Sequence, residues 1–182
     1  MNNPKIIRKW AMPSADTFDC LPIGEFVKYY LRKSKFSIDP FARNKRWATI
    51  TNDLSPLTEA EYHLDAVDFL KMIGARGDRP DLVIFDPPYS PRQVQEVYGG
   101  IGIRASTEDT QTAKLYKLCR QEINKIVPVG GVVLSFGWNS VGMGRGGWSI
   151  LEILMVCHGG AHNDTICMAE QKISHQDELF KG

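Results

Sequence analysis

The 182-residue sequence has few cysteines: Cys20, Cys119, Cys157 and Cys167 lie far apart, with no C-x-x-C pair. That spacing argues against a disulfide framework, and His158 and His162 complete no recognisable zinc pattern, so a reduced protein without a metal is expected. Long hydrophobic runs are missing as well. No stretch approaches the roughly 18 apolar residues of a membrane span. The first residues lack the apolar core and small-residue cleavage site of a secretory signal. A cytoplasmic location with no membrane partner is the expectation. Neither sign of charge dominates, with 22 Lys+Arg against 21 Asp+Glu. This excludes a uniformly basic nucleic-acid coat and leaves a local basic face open. There are no internal repeats or low-complexity tracts. The composition, 43% hydrophobic and 24% charged, is that of a globular protein, and the length fits a single domain over 1–182.

Periodicity then orders the elements. Ile23, Phe26, Val27, Tyr30 and Leu31 form one apolar stripe, predicting a helix over 20–33. Short β-like pieces follow at 35–39, 47–53, 61–64 and 81–86, with a short helix closed by Gly74 between the last two. The near-continuous apolar run at 81–86 fits a strand covered on both faces. Ser90, Pro91 and Gln93 have the form of a helix start. A longer helix is predicted over about 111–127, with Leu115, Leu118, Ile123 and Ile126 on one face, ended by Pro128. Strands at 132–138, 150–158 and 164–172 complete the series. Alternating strands and helices predict an α/β domain with a mainly parallel sheet. Only a short polar link joins the last two strands, so they should form an antiparallel hairpin.

The sharpest chemical feature is Asp86-Pro87-Pro88-Tyr89, directly after the buried strand. Ligands of open α/β sheets bind beyond the carboxyl ends of strands. A carboxylate accepts one hydrogen of an exocyclic amine, and the Pro87 carbonyl accepts the other. Two prolines stiffen the turn that holds both acceptors. Tyr89 offers an aromatic face for a base. With both hydrogens held, the nitrogen lone pair is aimed at an electrophile, and positioning supplies much of the rate. As a bare tetrapeptide, the same residues equally describe a strand-ending turn. Their place between a buried strand and a capped helix favours chemistry.

On these residues, with MPSADTFDCLPI, IDPFARN, TNDLSP, HLDAVDFL, LSFGWNS and HGGAHNDTI beside them, the sequence resembles the class I S-adenosylmethionine-dependent amino-methyltransferases carrying D-P-P-Y. Within them it is most similar to small phage and prophage adenine-N6 DNA methyltransferases. The resemblance implies a Rossmann-like seven-stranded sheet with helices on both faces and the last strand antiparallel. It implies S-adenosyl-L-methionine as cofactor, and Asp86, Pro87, Pro88 and Tyr89 as the catalytic motif. It places Asp39, Pro40 and Phe41 at the methionine part of the cofactor, Asp53 at the ribose, and Asp65 with Ala66 near the adenine. The segment holding Thr17 and Phe18 would close over the methionine end. Location in a bacterial or phage-infected cell follows from the same likeness. One departure stands out: Phe41 is followed by Ala42-Arg43-Asn44, where the family has a glycine loop. Only 13 residues separate Asp39 from Asp53, so the usual first helix should be very short or missing. Taken singly, Asp53 also reads as a turn residue and Asp65 as a helix cap.

For the substrate, residues 28–46 carry seven basic groups against one acid. Arg43, Lys45 and Arg46 belong to this run, which is either a phosphate track or a solvated face. Loops 99–112 and 137–148 are Gly-rich and aperiodic and read as substrate-side loops, with Arg104, Trp138, Asn139 and Arg145 as contacts. Trp148 reads rather as core, and the polar residues around His158 as structural. No segment is large enough for a separate target-recognition domain, so a monomer or homodimer acting on DNA is expected. RNA as the substrate, and a non-catalytic binding module on the same fold, are the alternatives.

Overall fold

The computed structural model describes residues 3–88, 112–144, 146–160 and 162–174. Ten strands and α-helices lie among the described residues. They are β1 (Lys5–Trp10), α1 (Leu21–Leu31), β2 (Ser37–Asp39), β3 (Ile50–Thr51), α2 (Ala66–Ala75), β4 (Leu82–Phe85), α3 (Thr112–Ile126), β5 (Val132–Gly137), β6 (Trp148–Cys157) and β7 (Thr165–Lys172). Among the described residues the strands form one seven-stranded sheet, in the order β1-β6-β7-β5-β4-β2-β3. Only β7 runs antiparallel to its neighbours. The expected mainly parallel sheet with a terminal antiparallel hairpin is therefore what the chain forms.

Side chains alternate across the sheet and build two cores. On one face Leu82, Ile84, Leu134, Phe136, Leu154 and Val156 meet Ile23, Phe26, Val27 and Tyr30 of α1. On the other, Ile38, Val83, Phe85 and Val133 meet Phe69, Leu70 and Ile73 of α2 and Cys119, Ile123 and Ile126 of α3. Pro22 lies in the first turn of α1, where its missing N–H costs nothing. Asp65 caps α2 by accepting a hydrogen bond from Val67 N at 2.9 Å. The four cysteines are buried and unpaired.

Three details differ from the sequence reading. The strand expected at 61–64 reduces to a single bridge between Tyr62 and Asn52. The seventh strand is instead β1, which pairs with the outer edge of β6. Its side chains are mostly exposed, Ile6 and Trp10 among them, so it carries little of the alternation that marks a half-buried strand. Leu118 lies on the exposed side of α3, and the buried face is set by Cys119, Ile123 and Ile126.

Between β5 and β6, residues 138–144 and 146–147 form no helix. We call this segment the strap. It leaves the carboxyl end of β5 and reaches the opposite end of the sheet, where Trp148 pairs with Lys172. Met143 is buried on the way and its N–H donates to Glu170 Oε2 of β7 at 2.7 Å. A Cβ on Gly142 would stand 2.0 Å from the same carboxylate, and its φ of +52° suits glycine. Trp148 packs on the α2–α3 core and donates to Asn124 Oδ1 at 3.2 Å.

Candidate active site

Strand order reverses between β2 and β4: the chain moves outward to β3 on one side and to β5 on the other. This is the switch point at which open α/β sheets form a ligand crevice. Asp39 ends β2 on one wall, and Asp86-Pro87-Pro88 follows β4 on the other. Asp39 is almost fully buried, and its Oδ1 accepts from Phe41 N at 2.9 Å. Burial pushes its carboxyl well above the ordinary range, reinforced by the charges of Asp86 and Asp53 and opposed by the Phe41 N–H. The buried Asp39 carboxyl thus feels the charges of two other acids, Asp86 after β4 and Asp53 after β3.

The turn after β2 performs a glycine's task without glycine. Arg43 adopts φ 50°, the left-handed conformation that an ordinary side chain occupies at a cost. The turn is held from several sides: Ala42 N donates to Asn52 O at 2.8 Å, and Arg43 N to Asp53 Oδ2 at 3.1 Å. No helix separates β2 from β3, as the short spacing implied. Asp53 Oδ1 also accepts from Ser55 N at 2.8 Å, so this residue organises two turns. Asn52, 1% exposed, bonds Pro40 O and Leu64 O through Nδ2 and accepts from Leu64 N, tying three strand-end loops together. Ala66 is buried at the start of α2 and Pro40 is buried beside Asp39.

The N-terminal segment folds onto this turn. Asp16 pairs with Arg43 and Asp19 with Lys45, while Arg43 also donates to Ala15 O. Thr17 opens a single 3-10 turn, and Phe18 is buried against Trp47 and Phe136, with ring centroids 5.7 and 5.2 Å apart. Gly24 permits this approach, because a Cβ there would sit 2.5 Å from Phe18 O. Of the basic run, Arg43 and Lys45 are thereby spent on acidic partners, and Arg46 is exposed. Tyr89, Arg104 and Arg145 lie outside the described residues, as do the helix start at Ser90 and loop 99–112 apart from Thr112, which opens α3.

Beside Asp86, a cavity of about 50 Å³ is bounded by Phe85, Tyr116, Arg120, Ser135, Phe136 and the start of the strap, including Trp138 and Asn139. Phe85 and Tyr116 meet edge to face at 5.6 Å. Burial raises the Tyr116 hydroxyl well above its usual range, with the Asp86 charge adding to the shift. Tyr116, Arg120, Ser135 and Asn52 escaped the sequence reading. Arg120 had one visible signal: it stands four residues after Tyr116, a polar interruption on the inner side of an amphipathic helix.

The hairpin histidine is structural. His158 is buried, its ring nitrogens contact Ala11 O at 2.8 Å and Thr165 Oγ1 at 2.9 Å, and its N–H donates to Asp164.

No protein-family model matches the chain, and a search of curated proteins finds no match. Solved structures do match in fold. SMU.776, named as a methyltransferase and crystallised with SAH, is 12% identical with a TM-score of 0.56, covering 80% of this chain and 48% of its own. TrmN from Thermus thermophilus is 11% identical with a TM-score of 0.53, covering 83% and 48%. The methyltransferase-named yhhF from Escherichia coli is 13% identical with a TM-score of 0.50, covering 85% and 86%. The chain thus has the Rossmann-like α/β fold seen in methyltransferases. It spans about half the length of the first two of these structures.

Proposed function

We propose that the protein is an S-adenosyl-L-methionine-dependent methyltransferase that acts on the exocyclic N6 amine of adenine in DNA. The observation that carries this reading is the placement of Asp86-Pro87-Pro88 at the switch point, across from the buried acid Asp39. The crevice fits the cofactor in charge: the sulfonium and ammonium of S-adenosyl-L-methionine are cationic, and Asp39, Asp53 and Asp86 converge there. When bound, the cofactor supplies an electrophilic methyl group. Asp39 and the backbone of Pro40 and Phe41 would hold its methionine end, Asp53 the ribose, and the Asp65–Ala66 turn the adenine. Thr17 and Phe18 sit on a segment tied to the same turn. Asp86 and the Pro87 carbonyl orient the amine, Tyr89 stacks on the base, and no covalent link to the chain is required. A flipped base costs a few kcal/mol, which a single domain offsets most readily on single-stranded or already distorted DNA, or as a homodimer.

The test incubates the protein with cofactor labelled in the methyl group and with single-stranded DNA, duplex DNA or RNA, followed by nucleoside digestion and mass analysis. Label in N6-methyladenine from DNA, lost by at least ~100-fold in Asp86→Ala, is the expected result. Label only in RNA would replace the substrate and keep the chemistry. No label, with no cofactor binding, would overturn the enzymatic reading in favour of a binding module on this fold.

A further inference from the structure

The cavity beside Asp86 holds two buried donors that the fold does not use. Arg120 Nε and Ser135 Oγ are both buried and have no hydrogen-bond partner among the described residues. Ser135 itself is 8% exposed. Both line the same space, one from α3 and one from β5. Arg120 forms no ion pair within that set. Its guanidinium lies 5.4 Å from the Tyr116 ring and feels the charge of Glu170, whose carboxylate accepts from Met143 N. A buried donor without an acceptor is unfavourable, and folded proteins keep few of them. Two in one cavity, on facing elements, mark a place prepared for an acceptor brought from outside.

The walls define that acceptor. Phe85, Tyr116 and Phe136 present aromatic surface, which suits a planar ring. The volume, about 50 Å³, admits the edge of a heterocycle rather than a whole nucleotide. Phe85 lines this cavity and directly precedes Asp86, so the cavity lies within a residue's length of the acid proposed to hold the amine. We propose that Arg120 and Ser135 are specificity-determining residues that read an acceptor nitrogen next to the exocyclic amine of the target base. Adenine offers such acceptors at N1 and N7. Arginine and serine are both donors that read ring acceptors of bases. This inference rests on the methyltransferase reading for its substrate, while its binding chemistry is independent of transfer.

The experiment pairs protein and substrate changes. Oligonucleotides carry adenine, 1-deazaadenine or 7-deazaadenine at the modified position, and wild type is compared with Arg120→Met and Ser135→Ala. Wild type should lose roughly 10- to 100-fold in kcat/KM on one deaza substrate. Arg120→Met should treat that substrate and adenine alike, with the loss seen mainly in KM, and Arg120→Lys should recover part of the discrimination. Thermal unfolding supplies the second readout: the Ser135 hydroxyl has no bond within the fold to lose, so Ser135→Ala should melt at or above the wild-type temperature, while Arg120→Met also gives up its contact with the Tyr116 ring. Binding of free adenosine and its deaza analogues, followed by tryptophan fluorescence, separates the two readings. Arg120-dependent discrimination in binding without methyl transfer would keep this inference and remove the reaction. Transfer that ignores both deaza changes, or variants that lose stability and keep discrimination, would overturn it, assigning the two donors to a structural water.

Discussion

Arg43 shows how one residue stands in for a missing glycine. Its left-handed φ is sustained by bonds from its own N–H to Asp53 and from Ala42 N to Asn52 O, so the surroundings over-determine the turn. Both glycine and valine here give up the Asp16 pair and the bond to Ala15 O, so their difference reads the backbone: the glycine variant should be more stable than the valine variant by on the order of 1–2 kcal/mol. Urea unfolding of the two variants checks the order. Asp39 leads to a pH prediction. Its carboxyl is raised mainly by burial, so it stays protonated to higher pH than an ordinary aspartate. A cationic cofactor prefers the ionised form. Affinity for S-adenosyl-L-methionine should therefore rise as pH rises through the elevated range and then level off, and Asp39→Asn should show weaker, pH-independent binding. Calorimetric titrations from pH 5 to 9 read this directly, and a steep slope persisting in the variant would assign the proton elsewhere.

The strap replaces a crossover helix by one buried anchor. Burial raises the Glu170 carboxyl to about 7, against the opposing Met143 N–H and Arg120 charge. Its folded value thus lies above its unfolded one. Below pH 4.5 both states are protonated and the group is neutral in the balance. Between 4.5 and 7 the unfolded chain releases the proton first, so stability falls as pH rises, and above 7 the full cost is present. Glu170→Gln keeps an acceptor for Met143 N and does not titrate. It should gain on wild type progressively over that interval, by on the order of 2–3 kcal/mol at pH 8. Denaturation at pH 4.5, 6 and 8 tests the trend. Gly142→Ala, forced against the same carboxylate at a positive φ, should lose roughly 1–3 kcal/mol. Neither the strap nor its anchor was legible in the sequence. The Gly-rich run announced irregular backbone but not its path, since Glu170 meets Met143 across 27 positions. The strands that end at Asp39 and just before Asp86 were legible, because a short apolar run closed by an acid is a local pattern, while the roles of both acids belong to the proposal. Asp53 and Asp65 carried both readings in the sequence, and their turn and cap bonds are now visible, with cofactor contact left to the proposal.

The sheet as a whole ends differently from the periodicity reading. One terminal strand, β3, has two residues, and the bridge to Tyr62 beyond it is all that remains of the strand expected there. The opposite end is extended by β1, which was missed because exposed residues carry no alternation. That strand is nevertheless anchored on the α1 side of the sheet. Lys5 pairs with Glu152 at 3.3 Å, and Glu152 accepts from Tyr30 of α1. Ile7 packs on the α1 core, and Ala11 meets both Cys157 O and the His158 ring. Without β1, the ten residues of β6 become an edge, with Ile153 and Met155 beside unpaired backbone groups. Long apolar edges invite pairing with other chains. Removing residues 1–10 should therefore lower stability by roughly 2–4 kcal/mol, through the lost Ile7 burial and ladder bonds. It should also produce concentration-dependent self-association in sedimentation velocity. Replacing Ile153 with lysine in the truncated chain should suppress that added self-association, since a charge on an open edge opposes strand addition. A truncated chain that sediments like the full chain at full stability would mean that β1 is an ornament of the sheet and that β6 is protected by other means.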